Sequence, residues 1–411
     1  MNYIFIDSKD GIEKVGIVEE NKLVEFYIDH DDKDQLVGNI YRGRVVNVLQ
    51  GMEAAFVDIG HDKNAYLDLK NALTRKTPSK EGMSIRDVVK VGQEIIVQVL
   101  KEPTEMKGAK ITANITLPGR FIVLTPYSEK ISISRKIIDE DEISRLKNIG
   151  EKIRQESMGM IFRTSSKYIG KDLLEEEYIN LIDIFKKIER ERNFLPCPKL
   201  IYKEMDLSEK VIRDSYSDKI DKIIVNNKDK YNRLLQLEDV FFPGLKEKML
   251  FQEDFSIDYE ESIMKGIKMA LDRKVDLKCG GSVVIDETEA LTVIDVNTGK
   301  FTGNINLKDT VVKTNLEAAE EIARQIRLRN LTGIIIIDFI DMKDDRDVNL
   351  VMERLEEHLN KDKNKANIIG ITKLGLVELT RRKTRNSLSS NFLEMCPTCK
   401  GKGKIYKIVD K

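Results

Sequence analysis

The sequence predicts an α+β protein of several domains. Its 411 residues are enough for two or more hydrophobic cores. Short strand candidates with turns between them dominate the N-terminal part, and longer segments with helical spacing follow. Both kinds of element in one chain of this length predict an α+β multidomain fold.

The composition narrows the class of protein. Hydrophobic residues make up 41% and charged residues 34%, which is ordinary for a soluble, helix-rich protein. The formal net charge is −1, so any affinity for nucleic acid must come from local basic patches. Four cysteines are too few for a disulfide framework, which predicts a reducing cytoplasm. We expect no signal peptide, and no apolar run approaches the ~18 residues of a membrane span.

The N-terminal part predicts a small antiparallel sheet followed by a barrel. The sheet, within residues 1–35, has strand candidates Tyr3–Ile6, Glu13–Val18 and Lys22–Ile28. Residues 36–118 contain five short strands, which are typical of an OB-fold. These are Asn39–Leu49, Ala54–Ile59, Asn64–Leu67, Gln93–Leu100 and Ala109–Ile115.

The middle of the chain mixes both kinds of element. Strands are expected at Phe121–Leu124 and Met160–Phe162, and helices at Glu142–Glu156 and Glu175–Arg192. Residues 206–270 predict mostly helix and polar connection.

The residues most indicative of a chemical function lie at two apolar runs nearer the C-terminus. Val283–Ile285 and Leu291–Val296 predict a hairpin, and Ile334–Ile337, which lacks polar alternation, predicts a strand covered on both faces. Asp295 lies in one apolar run and Asp338 follows the other. A buried carboxylate at such a place must be paired, hydrogen-bonded or bound to a metal.

If the two strands are neighbours, Asp295 and Asp338 point into one crevice at a sheet edge. A divalent cation would offset their repulsion, and oxygen ligands that leave most of the shell to water suit Mg²⁺ or Mn²⁺. Asn297 lies on the same strand face as Asp295 and would orient a bound water or a phosphate oxygen. The alternatives are that Asp-x-Asn-Thr-Gly only forms a turn and that Asp338 caps a helix.

Four stretches around these residues closely resemble the catalytic core of the ribonuclease E/G family. They are Gly280–Leu291, Ile294–Thr298, Thr314–Ala319 and Ile337–Met342. The resemblance covers essentially the whole chain. It implies a Mg²⁺-dependent endoribonuclease that cleaves single-stranded RNA to 5′-phosphate and 3′-hydroxyl products, in rRNA maturation and mRNA decay. It also implies that Asp295 and Asp338 bind one Mg²⁺ and that Asn297 assists them.

The resemblance further implies an order of subdomains. These are an RNase H-like subdomain in two pieces (1–35 and 206–270), an inserted OB-fold RNA-binding domain (36–118), a 5′-sensor subdomain (119–205), a DNase I-like catalytic subdomain (271–392), and a zinc knuckle with a C-terminal tail (393–411).

Two RNA-contact regions follow from the same resemblance. In the barrel, Phe56 and Tyr66 match base-stacking aromatics and Lys107 matches a lysine that contacts the RNA backbone. Aromatics beside lysines are the expected way to hold a single strand. The alternative for Phe56 is a place in the core.

A pocket for an RNA 5′-monophosphate is implied by Gly119, Val123, Arg163 and Thr164, with Lys365 as its remaining basic residue. Well-known family members have arginine at that last position. Lysine keeps the charge but lacks the bidentate fork, which puts strong 5′-end selectivity in doubt. The alternative for Arg163 and Thr164 is a solvated turn.

Further charged residues lie in the same half of the chain. Asp341 is expected to have only a supporting role. Arg324 and Arg327, on a predicted helix over Thr314–Leu328, either line the RNA path or form a solvated face. The basic cluster Arg381–Arg385 is a candidate for holding phosphates.

The C-terminal Cys396-Pro397-Thr398-Cys399 predicts a zinc knuckle, because structural zinc takes thiolates at this spacing. Tetrahedral zinc needs four ligands and one knuckle supplies two. Cys197 and Cys279 lie in other segments, and Cys279 is expected to be a small packed residue. We therefore expect a homodimer that shares one Zn²⁺, with a tetramer as the larger alternative. A redox role is less favoured, since no βαβ pattern surrounds the motif.

Two rival functions stay open. One is a non-catalytic RNA-binding protein in which the OB-fold is the active part, and the other is a DNA nuclease.

Overall fold

The computed structural model describes most of the chain and divides it into two compact units. The described residues are 1–30, 35–74, 82–104, 106–155, 158–191, 196–238, 242, 244–299, 307–364, 366–383, 385–399, 401 and 403. One unit consists of Met1–His30, Asp218–Lys228 and Lys248–Lys411, and the other of Asp31–Ser217 and Asp229–Glu247. The finer division into six segments stays a prediction.

The strands in chain order are β1 Tyr3–Lys9, β2 Ile12–Glu19, β3 Lys22–His30, β4 Ile40–Leu49, β5 Ala54–Asp58, β6 Ala65–Asp68, β7 Glu94–Lys101, β8 Lys110–Thr112, β9 Leu117–Pro118, β10 Ile122–Thr125, β11 Ile131–Ile133, β12 Gly159–Phe162, β13 Lys199–Tyr202, β14 Lys222–Val225, β15 Met249–Phe251, β16 Lys274–Asp276, β17 Ser282–Glu287, β18 Leu291–Asn297, β19 Gly333–Asp338, β20 Ala366–Ile371 and β21 Val377–Arg381. The α-helices are Leu69–Ala72, Ile85–Val88, Glu140–Ile153, Lys171–Glu191, Leu207–Ser215, Lys228–Gln236, Leu245–Lys248, Glu261–Leu271, Leu307–Leu328, Asp345–Leu359 and Ser389–Phe392. Single 3₁₀ turns lie at Gln50–Met52, Thr164–Ser166 and Ile257–Tyr259.

The N-terminal sheet has the strand order β15-β14-β1-β2-β3. The predicted antiparallel arrangement of β1, β2 and β3 is confirmed. Strands β14 and β15 add to it in parallel. The sequence does not predict either strand, because each is a short apolar run between helices in a stretch that predicts helix and polar connection.

The five-stranded barrel is confirmed. Strands β4, β5, β6, β8 and β7 pair in that order, and an additional β4–β7 pairing closes the ring. Alternate residues of each strand fill the interior, among them Ala55, Val57, Leu67, Val97 and Ile111. The pattern that predicts the barrel from the sequence is the set of five short strands within residues 36–118.

A four-stranded sheet of order β11-β12-β10-β9 follows the barrel. The helices Glu140–Ile153 and Lys171–Glu191 lie within a few residues of the two predicted from apolar spacing. Asp139 caps the first of them by accepting from the amides of Asp141 and Glu142.

The last sheet carries the predicted site and has the order β16-β17-β18-β19-β21-β20. Its inner face packs against the long helix Leu307–Leu328 and the helix Asp345–Leu359. The prediction that β19 is covered on both faces is wrong. Ile335 and Ile337 are fully buried, whereas Ile334 is 49% exposed, because the described helices of this core cover one face only.

Among the described residues, no helix is both long enough and apolar enough to span a membrane.

Candidate functional site

Asp295 and Asp338 lie side by side on neighbouring strands. Strands β18 and β19 run parallel, and the Cα atoms of the two aspartates are register partners. Adjacent strands are roughly 4.8 Å apart, and register partners project to the same face. The two carboxylates therefore belong to one patch on the outer face of the sheet.

Both aspartates are exposed, so the prediction of costly burial is wrong. Ile294 and Ile337, their preceding neighbours, are fully buried on the inner face. Since successive strand residues alternate between faces, the acids face outward even though the run around them is apolar. Neither carboxylate forms an ion pair with another residue in the part of the chain that the structure describes.

Asn297 is bonded to the first of these carboxylates. Its Nδ2 donates to Oδ2 of Asp295 at 2.7 Å. Both residues belong to β18, and only the following Thr298 and Gly299 leave the strand, so the motif is more than a turn. The helix-cap alternative for Asp338 is also wrong, because the next helix is capped by Asp344.

The donor set of this patch suits a hard cation that keeps much of its water shell. Two carboxylates and an amide oxygen are the ligand types of Mg²⁺ or Mn²⁺. Within the described ranges, no group of three or more His, Cys, Asp or Glu residues lies close enough to hold a metal. Asp341, which is exposed, therefore completes no three-acid site in that part of the chain.

Glycines let the two loops beside the site approach each other. A Cβ on Gly281 would lie 2.8 Å from the carbonyl oxygen of Asn297 and 2.8 Å from Cγ2 of Thr314. Gly299 has a φ of +62°, and a Cβ there would collide with the carbonyl oxygen of Gly280. The start of β17 thus packs against the end of β18, where the candidate ligands lie.

Two side chains of the long helix hold these loops, a role that the sequence does not predict. Glu317 accepts from the backbone amides of Lys278 and Cys279, the latter at 3.0 Å. Asn315, fully buried, bonds the backbone of Ile340 in both directions. The available signal was a polar residue among the apolar residues of a predicted helix.

The solvated-face alternative for Arg324 and Arg327 is wrong, because both side chains are held by protein partners. Arg324 forms an ion pair with Glu321 and donates to the carbonyl oxygen of Leu23 at 2.6 Å. Arg327 is only 6% exposed, so it does not belong to a solvated face. A place along an RNA path stays a prediction for both residues.

Arg327 instead joins the long helix to the N-terminal sheet. Its Nη2 lies 2.7 Å from Glu25 and 2.9 Å from Glu19. Burial alone would raise the pKa of Glu25, but the positive charges of Lys363 and Arg327 outweigh it and lower that pKa to about 2. This cluster has a structural role.

The basic cluster Arg381–Arg385 does not act as one phosphate site. Arg381 is 3% exposed and pairs with Asp362 at 2.6 Å. The guanidinium of Arg385 stacks on Tyr27, 3.6 Å from the ring centroid. Arg382 and Lys383 are exposed, so only they are available to a ligand on this segment within the described residues.

The barrel presents Phe56 and Tyr66 together. They are cross-strand partners on β5 and β6, and their ring centroids are 6.1 Å apart. Both are half-buried, whereas Ala55 and Val57 beside Phe56 are fully buried. The core alternative for Phe56 is therefore wrong. Lys107 is exposed on the loop before β8.

The predicted 5′-phosphate residues of the second unit also lie together. Nη1 of Arg163 donates to the carbonyl oxygen of Gly119 at 2.6 Å, and Nη2 pairs with Asp214 at 2.7 Å. The hydroxyl of Thr164 lies 2.9 Å from that of Ser134. Arg163 is thus anchored, and the solvated-turn alternative does not describe it.

Two further features define this region. Val123 is half-buried on β10, in register with Ile161 of β12. Burial acts to raise the pKa of Asp214, but the charges of Arg213 and Arg163 outweigh it and hold the pKa below its usual range. Lys365 lies outside the described residues.

Cys396 and Cys399 lie near the C-terminus, the first exposed and the second half-buried. Hydrogen bonds from the backbone amides of Cys399 and Thr398 lower the pKa of the Cys396 thiol. Gly403 donates its amide to Sγ of Cys399 at 3.3 Å. Cys279 is 8% exposed, which confirms it as a packed residue.

Known proteins resemble this chain along nearly its whole length. The sequence profile of the Ribonuclease E/G family matches residues 116–384. Ribonuclease G of Haemophilus influenzae is 39% identical over 403 residues, which cover 96% of this chain and 82% of the relative. Ribonuclease G of Escherichia coli K12 is 38% identical over 407 residues, with the same two shares. Ribonuclease E of Synechocystis sp. is 38% identical over 382 residues, or 91% of this chain and 56% of the relative. From a profile match over more than half of its residues and relatives of this identity and coverage, the chain belongs to the ribonuclease E/G family.

Proposed function

We propose that the chain is a divalent-metal-dependent endoribonuclease that hydrolyses single-stranded RNA to 5′-phosphate and 3′-hydroxyl products. Membership of the family, and the names of relatives at 38–39% identity, support an endoribonuclease. The observation that carries the chemistry is the register pairing of Asp295 with Asp338 on one exposed face. Roles in rRNA maturation and mRNA decay, and a cytoplasmic location, stay predictions from the sequence.

Asp295 and Asp338 would hold one Mg²⁺, and Asn297 would keep the first carboxylate oriented. When bound, the cation supplies positive charge that activates water and stabilises the phosphorane-like transition state. The hydrogen bond from Asn297 restricts the rotation of the Asp295 side chain, so less conformational entropy is lost on ligand binding. The exposure of both acids leaves room for a phosphodiester of a long polymer.

The barrel would hold the single strand. Phe56 and Tyr66 offer two neighbouring aromatic faces, on which bases stack without regard to sequence. Lys107 would contribute charge to the RNA backbone. Because this platform also suits a protein that binds RNA without cutting it, a non-catalytic RNA-binding protein is the second candidate function.

A preference for a 5′-monophosphate is the finer part of the proposal. Arg163 has two N–H groups committed to Gly119 and Asp214, and further N–H groups that a phosphate could use. The hydroxyl of Thr164 is a second donor nearby. Gly119 and Val123 would shape the pocket, and Lys365 would supply its remaining charge.

We further propose a homodimer, or a tetramer built from it, linked by Zn²⁺ that two chains share. The support is the ligand count, since Cys396 and Cys399 provide two of the four ligands that structural zinc takes. A metal-binding group of three or more such side chains does not occur among the described residues of one chain.

The discriminating experiment compares cleavage of matched single-stranded RNA and DNA oligonucleotides with and without EDTA. We expect cleavage of RNA only, abolished by EDTA and restored by Mg²⁺, with products that carry a 5′-phosphate. RNA binding without cleavage would establish the non-catalytic alternative. Equal cleavage of DNA would establish a DNA nuclease.

A further inference from the structure

We infer that Asn315 is a positioning residue that sets the geometry of the carboxylate pair Asp295 and Asp338 from inside the protein. The inference rests on the proposed metal site at those two acids. Asn315 touches neither of them, and it would act through the backbone that follows Asp338.

Asn315 forms two hydrogen bonds with the backbone of Ile340, as a residue of a neighbouring strand would. Its Nδ2 donates to the carbonyl oxygen of Ile340 at 2.8 Å, and its Oδ1 accepts from the amide of the same residue at 3.1 Å. Ile340 comes two residues after Asp338 and just beyond the end of β19. One side-chain amide therefore extends the fixed part of the strand past the candidate ligand.

The contact is partly buried, and its side-chain member is fully enclosed. Asn315 has no exposed surface, and Phe339, between Asp338 and Ile340, is only 8% exposed. A buried amide without hydrogen-bond partners destabilises the folded state, so the Asn315–Ile340 hydrogen bonds should be present in every folded molecule.

The same stretch of helix also holds the other side of the site. Thr314 packs against Gly281, and Glu317 accepts from the amides of the turn before β17. That turn packs against the loop after Asn297. Residues 314–317 of the helix thus fix the backbone beside both carboxylates. Among them, Asn315 holds the backbone next to Asp338.

The Asn315 contact should strengthen metal binding at the carboxylate pair. Two carboxylates bind one cation well only if both lie at the required separation without rearrangement. Loss of the Asn315 contact should let the end of β19 move, so that part of the binding free energy is spent on restoring the pair. We expect weaker metal binding together with a nearly normal rate at saturating metal.

The test is a Mn²⁺ titration of the full chain by electron paramagnetic resonance, with Mn²⁺ alone as the probe. Asn315→Ala should raise the dissociation constant at least about tenfold, which equals about 1.4 kcal/mol. In RNA cleavage, the Mg²⁺ concentration for half-maximal rate should rise by a similar factor. The rate constant at saturating Mg²⁺ should fall by less than about threefold.

Gln325→Ala is the matched control. Gln325 is a fully buried amide on the same helix, bonded to Glu321 and Arg329, and ten residues from Asn315. It should lower the melting temperature as Asn315→Ala does, but leave Mn²⁺ affinity unchanged. Equal effects of the two variants on Mn²⁺ affinity, or none for either, would overturn the inference.

A second variant covers the case in which Asn315→Ala does not fold. Asn315→Gln keeps the amide but lengthens the side chain by one methylene, so the anchored backbone must shift. It should fold and still weaken Mn²⁺ binding, and unchanged affinity in this variant would also overturn the inference. Failure of the proposed site itself looks different: Asp295→Asn would then leave Mn²⁺ binding of the otherwise unaltered chain intact.

Discussion

Replacement of Asp295 or Asp338 by asparagine should abolish catalysis without harming the fold. Both side chains are exposed and form no ion pair with any described residue, so the neutral amide leaves no buried group unsatisfied. Two unit charges on strands roughly 4.8 Å apart repel by about 0.9 kcal/mol in water. Without metal, each variant should therefore be as stable as the original protein, or more stable by up to about 1 kcal/mol.

The catalytic loss should be much larger than this change in stability. Loss of a principal charge-stabilising group costs at least about hundredfold in rate, or roughly 2.7 kcal/mol. Since both acids would act through one cation, the double variant should be little worse than either single variant. RNA binding should persist, because the aromatic platform lies on the barrel.

The assay is cleavage of an end-labelled single-stranded RNA, read beside thermal melting with and without Mg²⁺. Mg²⁺ should raise the melting temperature of the original protein but not that of either site variant, since a ligand stabilises the fold that binds it. Asp286→Asn is the matched control, because Asp286 lies on the same face of the sheet but is neutralised by Arg273 at 2.7 Å. Near-normal cleavage by either site variant, or a loss of stability above about 2 kcal/mol without metal, would refute this account.

Three further outcomes are expected. Arg163→Ala should remove a preference for 5′-monophosphate over 5′-hydroxyl RNA, worth at most roughly 1.5–3 kcal/mol, and leave the rate on 5′-hydroxyl RNA unchanged; equal rates on both RNAs with the unaltered protein would show that no such preference exists. Serine at both Cys396 and Cys399 should convert dimers to monomers that retain Mg²⁺ binding, and light scattering with elemental analysis should show about one zinc per two original chains; one zinc per monomeric chain would contradict this. Glu25, whose pKa is lowered from 4.5 to about 2, stabilises the fold above pH 4.5 and loses that contribution as the pH falls towards 2. Acid unfolding should therefore show a loss of roughly 3 kcal/mol across this window, whereas a stability that is flat between pH 5 and 2 would show that the carboxylate is not held by its cations.

Local patterns predicted the strands of the barrel and the hairpin of the site, because short apolar runs and the turns between them are properties of neighbouring residues. The same patterns could not show which sheet face a helix covers. Ile334–Ile337 reads as a strand buried on both sides, yet the described helices of its core pack on one side only, and Ile334 is 49% exposed. The residue type alone identifies Asp295 and Asp338 in the sequence, but their carboxylates are exposed and not buried as the apolar runs predict.

For Arg327 the difference is reversed: the sequence suggests an exposed side chain, and the structure buries it. The cause is again that a local pattern does not show which elements pack together. Arg327 lies off the apolar stripe of its helix, which Leu316, Ala319, Ala323 and Ile326 form, so sequence alone suggests an exposed or RNA-facing side chain. Its acid partners are far away in the chain: Glu19 is 308 residues distant. No local pattern contains such a pair, whereas the buried ion pair is evident once β2 and β3 are placed beside the helix.

The exposed acids and the buried arginines together show how the site is built. The buried arginines near the end of the long helix fix it to the N-terminal sheet, through Arg327 with Glu19 and Glu25. Near the start of the same helix, Asn315 and Glu317 fix the loops that border the candidate ligands. A rigid helix of 22 residues thus joins buried charges, which stabilise the fold, to exposed charges that stay available to a cation. The two acids can stay exposed because buried contacts of the helix hold the backbone that carries them. Like-charged side chains repel each other, so they keep the separation that a cation needs only if this backbone cannot move apart.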